Sequence, residues 1–179
     1  MQIGCDSRRE EIHMIEKLNG EPEAYAEIAG TEEYPEIHGR VTFYDVYGGT
    51  VLMAEIYGLP DEASGDDGQF FGFHIHEGSI CAGDATDLLK DTGGHYNPKG
   101  KEHPEHAGDL PPLLSTRGAA WMAVYTGRFH PEDVIGRTVV VHLHPDDMHT
   151  QPSGNSGTKI ACGEIQEWMV RPEFEEQGK

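Results

Sequence analysis

Two histidines one residue apart, His74 and His76, lie in the apolar run 70–76. On a β-strand, residues i and i+2 point to the same face, so both rings can reach one metal ion. Such a pair is weak evidence alone, because two histidines on one strand face are more often incidental. The pair therefore raises a metal-site hypothesis that the rest of the chain has to support.

A second group of possible ligands lies in one segment of fifteen residues further along the chain: His95, His103, His106 and Asp109. Three imidazoles and a carboxylate form a complete ligand set for tetrahedral Zn²⁺. A solvated histidine-rich loop is the alternative interpretation. One more histidine, His142, ends the apolar run 138–142, where a buried strand leaves a core, and Asp146 follows within reach.

The elements that must position these residues are predicted to be strands. Apolar and polar residues alternate from residue 23, and further strand patterns lie at 41–46, 50–57, 70–76, 119–126, 138–143 and 159–167. Residues 77–110 and 144–158 read as two long loops, and loops of that length usually carry function or a metal. Short strands with turn signals and almost no helix indicate an all-β sandwich or barrel.

The composition narrows the function classes. The chain has 179 residues, 32 acids and 13 bases, which gives a net charge of −19. Such a surface repels nucleic acid and anionic lipid, so we expect neither as a partner. No run of 18 apolar residues occurs, so we expect no membrane span. Gly-x-Ser-x-Gly is absent, and no general-base carboxylate accompanies an open metal site, so hydrolase activity finds little support.

Six segments with compatible spacing occur in order along residues 23–168: GFHIHEG (72–78), GGHYNP (93–98), HAGDLP (106–111), GRTVVVH (136–142), PDD (145–147) and GNSGTKIACG (154–163). Through them the chain resembles the copper/zinc superoxide dismutase family. The resemblance implies an eight-stranded Greek-key β-sandwich or barrel with two long functional loops. It also implies dismutation of superoxide to O₂ and H₂O₂, with one copper and one zinc ion per chain.

The resemblance assigns a role to each matching residue. Copper ligands are expected at His74, His76, His95 and His142, and zinc ligands at His95, His103, His106 and Asp109. His95 would bridge the two ions and take part in catalysis by accepting a proton when copper is reduced. Asp146 would link a copper ligand to a zinc ligand from outside the ligand sets. Cys81 and Cys162 would form a disulfide.

Two features depart from the family pattern. Lys159 stands where the family usually has an arginine beside the copper, so a mobile point charge replaces a bidentate fork. We expect Lys159 to attract superoxide; a solvated lysine at a strand end is the alternative. The loop 144–158 is short, without the family's usual lysine and glutamates. These departures keep a second function open, a metal buffer or copper carrier with little dismutase turnover.

The ends of the chain are predicted to lie outside the main domain. Residues 1–20 read as an N-terminal extension with a short amphipathic helix at about 8–18, or else a frayed tail; residues 21–168 form the dismutase-like domain, and 169–179 an acidic tail. A homodimer is compatible with the family. The compartment stays open: cytoplasmic if the N-terminus is native, extracytoplasmic if a signal has been removed.

Overall fold

The computed structural model describes residues 20–61 and 69–169. They form ten strands, every pair antiparallel: β1 (Ala24–Gly30), β2 (His38–Val46), β3 (Gly49–Tyr57), β4 (Gln69–Phe71), β5 (Phe73–His76), β6 (Leu113–Thr116), β7 (Ala119–Thr126), β8 (Thr138–His142), β9 (Lys159–Glu164) and β10 (Gln166–Glu167). A 3₁₀ turn spans Lys90–Thr92, and a single-turn helix, α1, spans Pro131–Val134.

The strands form one sheet that closes almost into a barrel. Its order is β4-β6-β7-β3-β2-β1-β9-β8-β5, with β10 beside β1. The two outermost strands, β4 and β5, are consecutive in the chain and are separated only by Gly72. At Gly72 the backbone stops pairing with β6 and begins pairing with β8. A Cβ at this position would lie 2.8 Å from the Cβ of Ser156, so the crossing requires glycine.

The interior of the barrel is apolar because alternate residues of each strand point inward. In β1, Ala24, Ala26 and Ile28 are buried, whereas Glu27 is exposed. The same alternation in the other strands brings Phe43, Leu52, Phe71, Phe73, Val139 and Ile160 into one core cluster. This packing makes the barrel a rigid frame for the side chains outside it.

The site side of the barrel is the outer face of β5 and β8. All four residues of β5 are buried, although only Phe73 and Ile75 belong to the core. The other two are covered because the connection 77–112 folds back over the strand. The second long connection, 143–158, lies between β8 and β9. Both long loops predicted from the sequence therefore border the same face.

A disulfide joins the first long connection to β9. Cys81 and Cys162 are 81 residues apart, with a Cα–Cα distance of 5.7 Å. Leu89 and Val140 pack around Cys162 in a small apolar cluster of their own. The pairing that the family resemblance implied is confirmed, and it ties the loop to the strand that begins at Lys159.

The all-β barrel is confirmed, whereas several details of the elements differ from the expectation. The run 70–76 is two strands, because Gly72 transfers it between neighbours, and the last strand breaks at Ile165. Joining each broken pair gives the eight strands expected. The sequence pattern missed β6 and α1, which are each only four residues long. The predicted helix at about 8–18 and residues 170–179 lie outside the described residues, and the three-part division of the chain stays a prediction.

Among the described residues, no helix is long and apolar enough to cross a membrane.

Candidate metal centre

Backbone pairing between β5 and the loop that covers it sets the spacing of the site. Ile75 N–H donates to Gly108 O at 2.9 Å, and Tyr96 N–H donates to Ile75 O at 2.8 Å. This short ladder places Asp109 opposite His74 and His95 opposite His76. Loop residues far from β5 in sequence are thus held beside its two histidines.

Two groups of possible ligands result, and in each group one atom per residue lies within 4.8 Å of the others. We call them the histidine cluster (His74, His76, His95 and His142) and the aspartate cluster (His95, His103, His106 and Asp109). All seven residues are buried. His95 belongs to both clusters, and its ring lies 3.9 Å from that of His74, centroid to centroid.

Hydrogen bonds outside the histidine cluster fix the tautomers of two of its rings. His76 Nδ1 lies 2.9 Å from Gly93 O, and His142 Nδ1 lies 3.2 Å from Gly157 O. A carbonyl only accepts, so each Nδ1 carries the proton and each Nε2 presents a lone pair. The two Nε2 atoms are 3.1 Å apart. Two lone pairs at that distance repel each other, and a cation bound by both nitrogens would remove the repulsion.

In the aspartate cluster too, ring nitrogens converge on one point. Three Nδ1 atoms surround the carboxylate of Asp109: His95 at 2.7 Å, His103 at 3.0 Å and His106 at 3.3 Å. His103 Nε2 donates to Asp146 Oδ1 at 2.9 Å, so its Nδ1 presents a lone pair to an anionic oxygen. Three imidazoles and a carboxylate that face one another suit a tetrahedral divalent ion.

Asp146 links the two clusters. Its Oδ2 accepts from His74 Nε2 at 2.7 Å, and its Oδ1 accepts from His103 Nε2. Because both rings donate outward through Nε2, both direct Nδ1 into their clusters. An outer carboxylate that fixes ring orientation and tautomer in this way is common around metal ligands.

The buried atoms without hydrogen-bond partners test whether the site fits metal ions. Four of the five such side-chain atoms among the described residues are ring nitrogens of these clusters: His74 Nδ1, His95 Nε2, His103 Nδ1 and His106 Nδ1. Leaving a buried polar atom unpaired costs about 1–3 kcal/mol. Four adjacent nitrogens in that state are explained when they are ligands, so the residues fit two bound cations.

Electrostatics keeps His76, His142 and Asp146 in the forms that suit a metal site. Burial, together with the neighbouring rings, lowers the pKa of His142 to about 3 and lowers that of His76 well below its usual range. Burial would raise the pKa of Asp146, but hydrogen bonds from His74, the Met148 N–H and His103 outweigh it and lower that pKa. Neutral imidazoles and ionised carboxylates are the metal-binding forms.

Sequence reasoning missed Arg128, which holds the aspartate cluster from outside. Its Nη1 donates to three carbonyls, at 3.0, 2.9 and 3.2 Å, those of Pro104, His106 and Asp109. Arg128 lies between β7 and α1 and belongs to none of the six family-like segments. An isolated arginine in a polar turn gave no signal, because its partners are backbone atoms of a distant loop.

Lys159 also lies at the site. It begins β9 and is the cross-strand partner of His142, at an irregularity in the β8–β9 pairing. Its ammonium donates to Asp87 Oδ2 and to Leu89 O, each at 3.0 Å. Lys159 is therefore adjacent in the sheet to one residue of the histidine cluster, and its ammonium is paired with a carboxylate of the covering loop.

Comparisons with known proteins agree with this geometry. The family model for copper/zinc superoxide dismutase (SODC) matches residues 37–165. "Superoxide dismutase [Cu-Zn] 2" of Aquifex aeolicus (strain VF5) is 32% identical over 157 residues, which cover 79% of this chain and 85% of that protein. The rat "Extracellular superoxide dismutase [Cu-Zn]" is 32% identical over 141 residues, 73% of this chain and 55% of the rat protein. The solved Cu/Zn superoxide dismutase from Brucella abortus has a TM-score of 0.68 and 26% identity, covering 80% of this chain and all of that one.

The Asp146 bridge yields a first prediction, since it requires glycine at position 154. Gly154 has φ +67°, and a Cβ there would lie 1.9 Å from Asp146 Oδ1 and 2.8 Å from His103 Nε2. Gly154→Ala should therefore weaken metal binding by both clusters. Gly136→Ala is the control, because its φ is +78° but nothing lies within 4 Å of the added carbon. Both variants should lose about 1–2 kcal/mol of stability from the left-handed backbone. Equal metal content in the two variants after dialysis would contradict the bridge.

The contacts of Arg128 yield a second prediction. Arg128→Met removes the donor to three carbonyls of the loop that carries the aspartate cluster, so it should loosen that loop. The affinity of the cluster for Zn²⁺ should fall by about tenfold, the lower end of the effect of losing a contact outside the ligands. Zn²⁺ titration in competition with a chelator measures this affinity. The control is Arg40→Met on β2, since Arg40 Nε donates to Glu27 Oε1 at 2.7 Å on the outer face. An unchanged zinc affinity in Arg128→Met would show that the three carbonyl contacts do not support the cluster.

The lowered pKa values predict how the stability of the metal-free protein depends on pH. Above pH 6.5 the three histidines whose pKa is lowered, His74, His76 and His142, are neutral in both the folded and the unfolded chain, and their contribution is constant. Below it the unfolded chain takes up protons that the folded chain excludes. Stability should then fall by about 1.4 kcal/mol per pH unit for each such histidine, for His142 until about pH 3. Urea unfolding at pH 7, 6 and 5 measures the slope, which His142→Asn should reduce by one such increment. A flat profile would contradict buried neutral rings.

Proposed function

Because this chain belongs to the copper/zinc superoxide dismutase family, we propose that its two clusters hold one copper and one zinc ion and that it dismutates superoxide. The observation that carries the proposal is that two buried ligand sets share one imidazole, that of His95. A site that only stores metal has no need for one ring that binds two ions through its two nitrogens. A shared ring is useful when a redox ion has to be held next to a second ion that stays in place.

The donor types assign the ions. Four imidazoles suit copper, so His74, His76, His95 and His142 are the proposed copper ligands. Three imidazoles and a carboxylate suit zinc, so His95, His103, His106 and Asp109 are the proposed zinc ligands. The redox chemistry that copper supplies when bound is one-electron transfer, by which two superoxide ions and two protons give one O₂ and one H₂O₂.

His95 is the proposed proton carrier. Its Nδ1 faces Asp109 at 2.7 Å, and its Nε2 is buried without a hydrogen-bond partner. With Nδ1 committed to the aspartate cluster, Nε2 is the atom that can accept a proton when it is not a ligand and later release it toward peroxide. The rigid contact on the Nδ1 side keeps the ring in place during that exchange.

Asp146 and Lys159 act on these groups without being ligands. Asp146 orients His74 and His103 together, so that a displacement in one cluster is felt in the other. Lys159, the cross-strand partner of His142, is proposed to attract superoxide. A local cation matters here because the net charge of −19 repels anions.

A homodimer stays a prediction. Its physical basis is an apolar strip on the outer surface, in which Phe70 and Leu114 are register partners on β4 and β6 and are 48% and 50% exposed. Trp121 on the next strand, β7, is 65% exposed. A contiguous apolar surface of this kind is more typical of a protein contact than of free solvent exposure.

Paired variants test the two-ion assignment. His142→Ala should lose copper and all superoxide turnover while it keeps zinc. His103→Ala should lose zinc and keep a copper site. His38→Ala, an exposed histidine at the start of β2, is the control and should retain both ions and the turnover. Metal analysis and a superoxide assay on the reconstituted proteins provide the readouts.

Two outcomes would contradict the proposal in different ways. Equal loss of both metals from both cluster variants would argue against two distinct sites. Full metal loading without turnover in the parent would favour the metal buffer or copper carrier.

A further inference from the structure

Lys159, Asp87 and the backbone of Leu89 are joined by three mutual hydrogen bonds. Lys159 Nζ donates to Asp87 Oδ2 and to Leu89 O, each at 3.0 Å, while Leu89 N–H donates to Asp87 Oδ1 at 3.0 Å. Both carboxylate oxygens and two of the three ammonium N–H groups are thereby engaged. The Lys159 side chain is only 15% exposed.

The loop that carries Asp87 is itself held in place. Asp84 Oδ1 accepts from the backbone N–H of Thr86 at 2.8 Å, and Asp84 Oδ2 is 2.7 Å from Lys90 Nζ. Lys90 N–H donates to Asp87 O at 3.1 Å. Since the disulfide at Cys81 anchors the start of this segment, Asp87 is presented to Lys159 at a fixed position.

The pair lines a cavity whose wall also includes Gly157. The cavity is open to solvent, measures about 480 Å³, and has Glu33, Asp87, Gly157 and Lys159 in its wall. Gly157 O is the atom that contacts His142 Nδ1. One residue of the cavity wall, Gly157, is thus hydrogen-bonded to a proposed copper ligand, and another, Lys159, is the cross-strand partner of the same ligand.

The charges of this wall do not favour an anion. The wall carries two carboxylates, Glu33 and Asp87, and one ammonium. An anion that approaches Lys159 has to share it with Asp87, which is already in hydrogen-bond contact. Competition at contact distance persists at physiological salt, whereas the attraction of more distant charges is largely screened beyond about 8 Å.

We propose that Asp87 is a positioning residue that holds the Lys159 ammonium at the cavity wall and competes with small anions for it, so that the Asp87–Lys159 pair sets the anion affinity beside His142. The proposal rests on the proposed function, because it takes superoxide as the anion. A purely structural tie between the loop and β9 is the alternative, and it predicts changes in stability without changes in anion affinity.

The test uses azide as the anion probe, with optical titration of the copper- and zinc-loaded protein at 0.15 M salt. Asp87→Asn should tighten azide binding by about two- to fivefold, the range that a part-exposed ion pair supports, and should raise the superoxide rate constant in the same direction. Asp91→Asn removes one charge from the same loop and is the matched control; it should change neither value. In a Lys159→Met background, Asp87→Asn should have a smaller effect, because no ammonium remains to compete for.

Two further measurements keep the proposal falsifiable if Asp87→Asn loosens the loop. Asp87→Glu keeps the charge and should retain the azide affinity of the parent. In the metal-free protein, the Lys159 ammonium should give a slowly exchanging ¹H–¹⁵N signal that disappears in Asp87→Asn. Unchanged or weaker azide binding in Asp87→Asn, or an equal gain in Asp91→Asn or in the Lys159→Met background, would overturn the proposal. A parent without turnover would contradict the proposed function alone, since the azide and ammonium measurements would still report on the pair.

Discussion

The structure depends on one constraint: buried imidazole nitrogens converge in two clusters, and hydrogen bonds on the outer side of the rings leave lone pairs directed inward. Carbonyls of Gly93 and Gly157 accept hydrogen bonds from His76 and His142, and Asp146 accepts hydrogen bonds from His74 and His103. Each outward hydrogen bond decides which nitrogen faces inward. The arrangement is unfavourable without cations and favourable with them, so the same contacts that destabilise the metal-free chain define its ligand sets.

Holding that arrangement requires support from outside the ligands. The barrel supplies two rigid strands, and the covering loop is fastened to them by backbone pairing at Ile75, by the Cys81–Cys162 disulfide and by the three carbonyls that accept from Arg128. Gly154 allows Asp146 to approach because it has no Cβ.

The electrostatics of the entrance differs from that of the interior. Inside, burial keeps the His142 ring neutral, and hydrogen bonds from His74, the Met148 N–H and His103 keep Asp146 ionised against the effect of burial. At the rim, Lys159 is the cation nearest His142 in the sheet, yet Asp87 shares its charge. The net charge of the chain is −19, and the ammonium next to His142 is paired. An unpaired ammonium at the same position would attract anions more strongly. The position of one loop carboxylate decides how much of the lysine charge an anion encounters.

The sequence by itself determined the ligand types, their order and the barrel class. The alternation in β1 and the His-x-His spacing in β5 are local patterns, and a strand converts them directly into faces. The six family-like segments contain six of the seven ligand candidates and Cys162, and the family resemblance that they carry assigned His103 and Cys81, which lie between segments. The same patterns did not reveal that Gly72 divides one strand into β4 and β5, since that depends on which neighbours the barrel offers on either side.

Only the tertiary structure decided which atoms meet. Arg128 and Asp87 could not be recognised from the sequence. The partners of Arg128 are backbone carbonyls, which any residue supplies, and Asp87 is one of 32 acidic residues in the chain. Whether Lys159 is a free or a paired cation depends on a contact across 72 residues. The physical reason is general: local spacing fixes faces and ligand identity, whereas distances between loops arise only when the barrel closes and brings them to one surface.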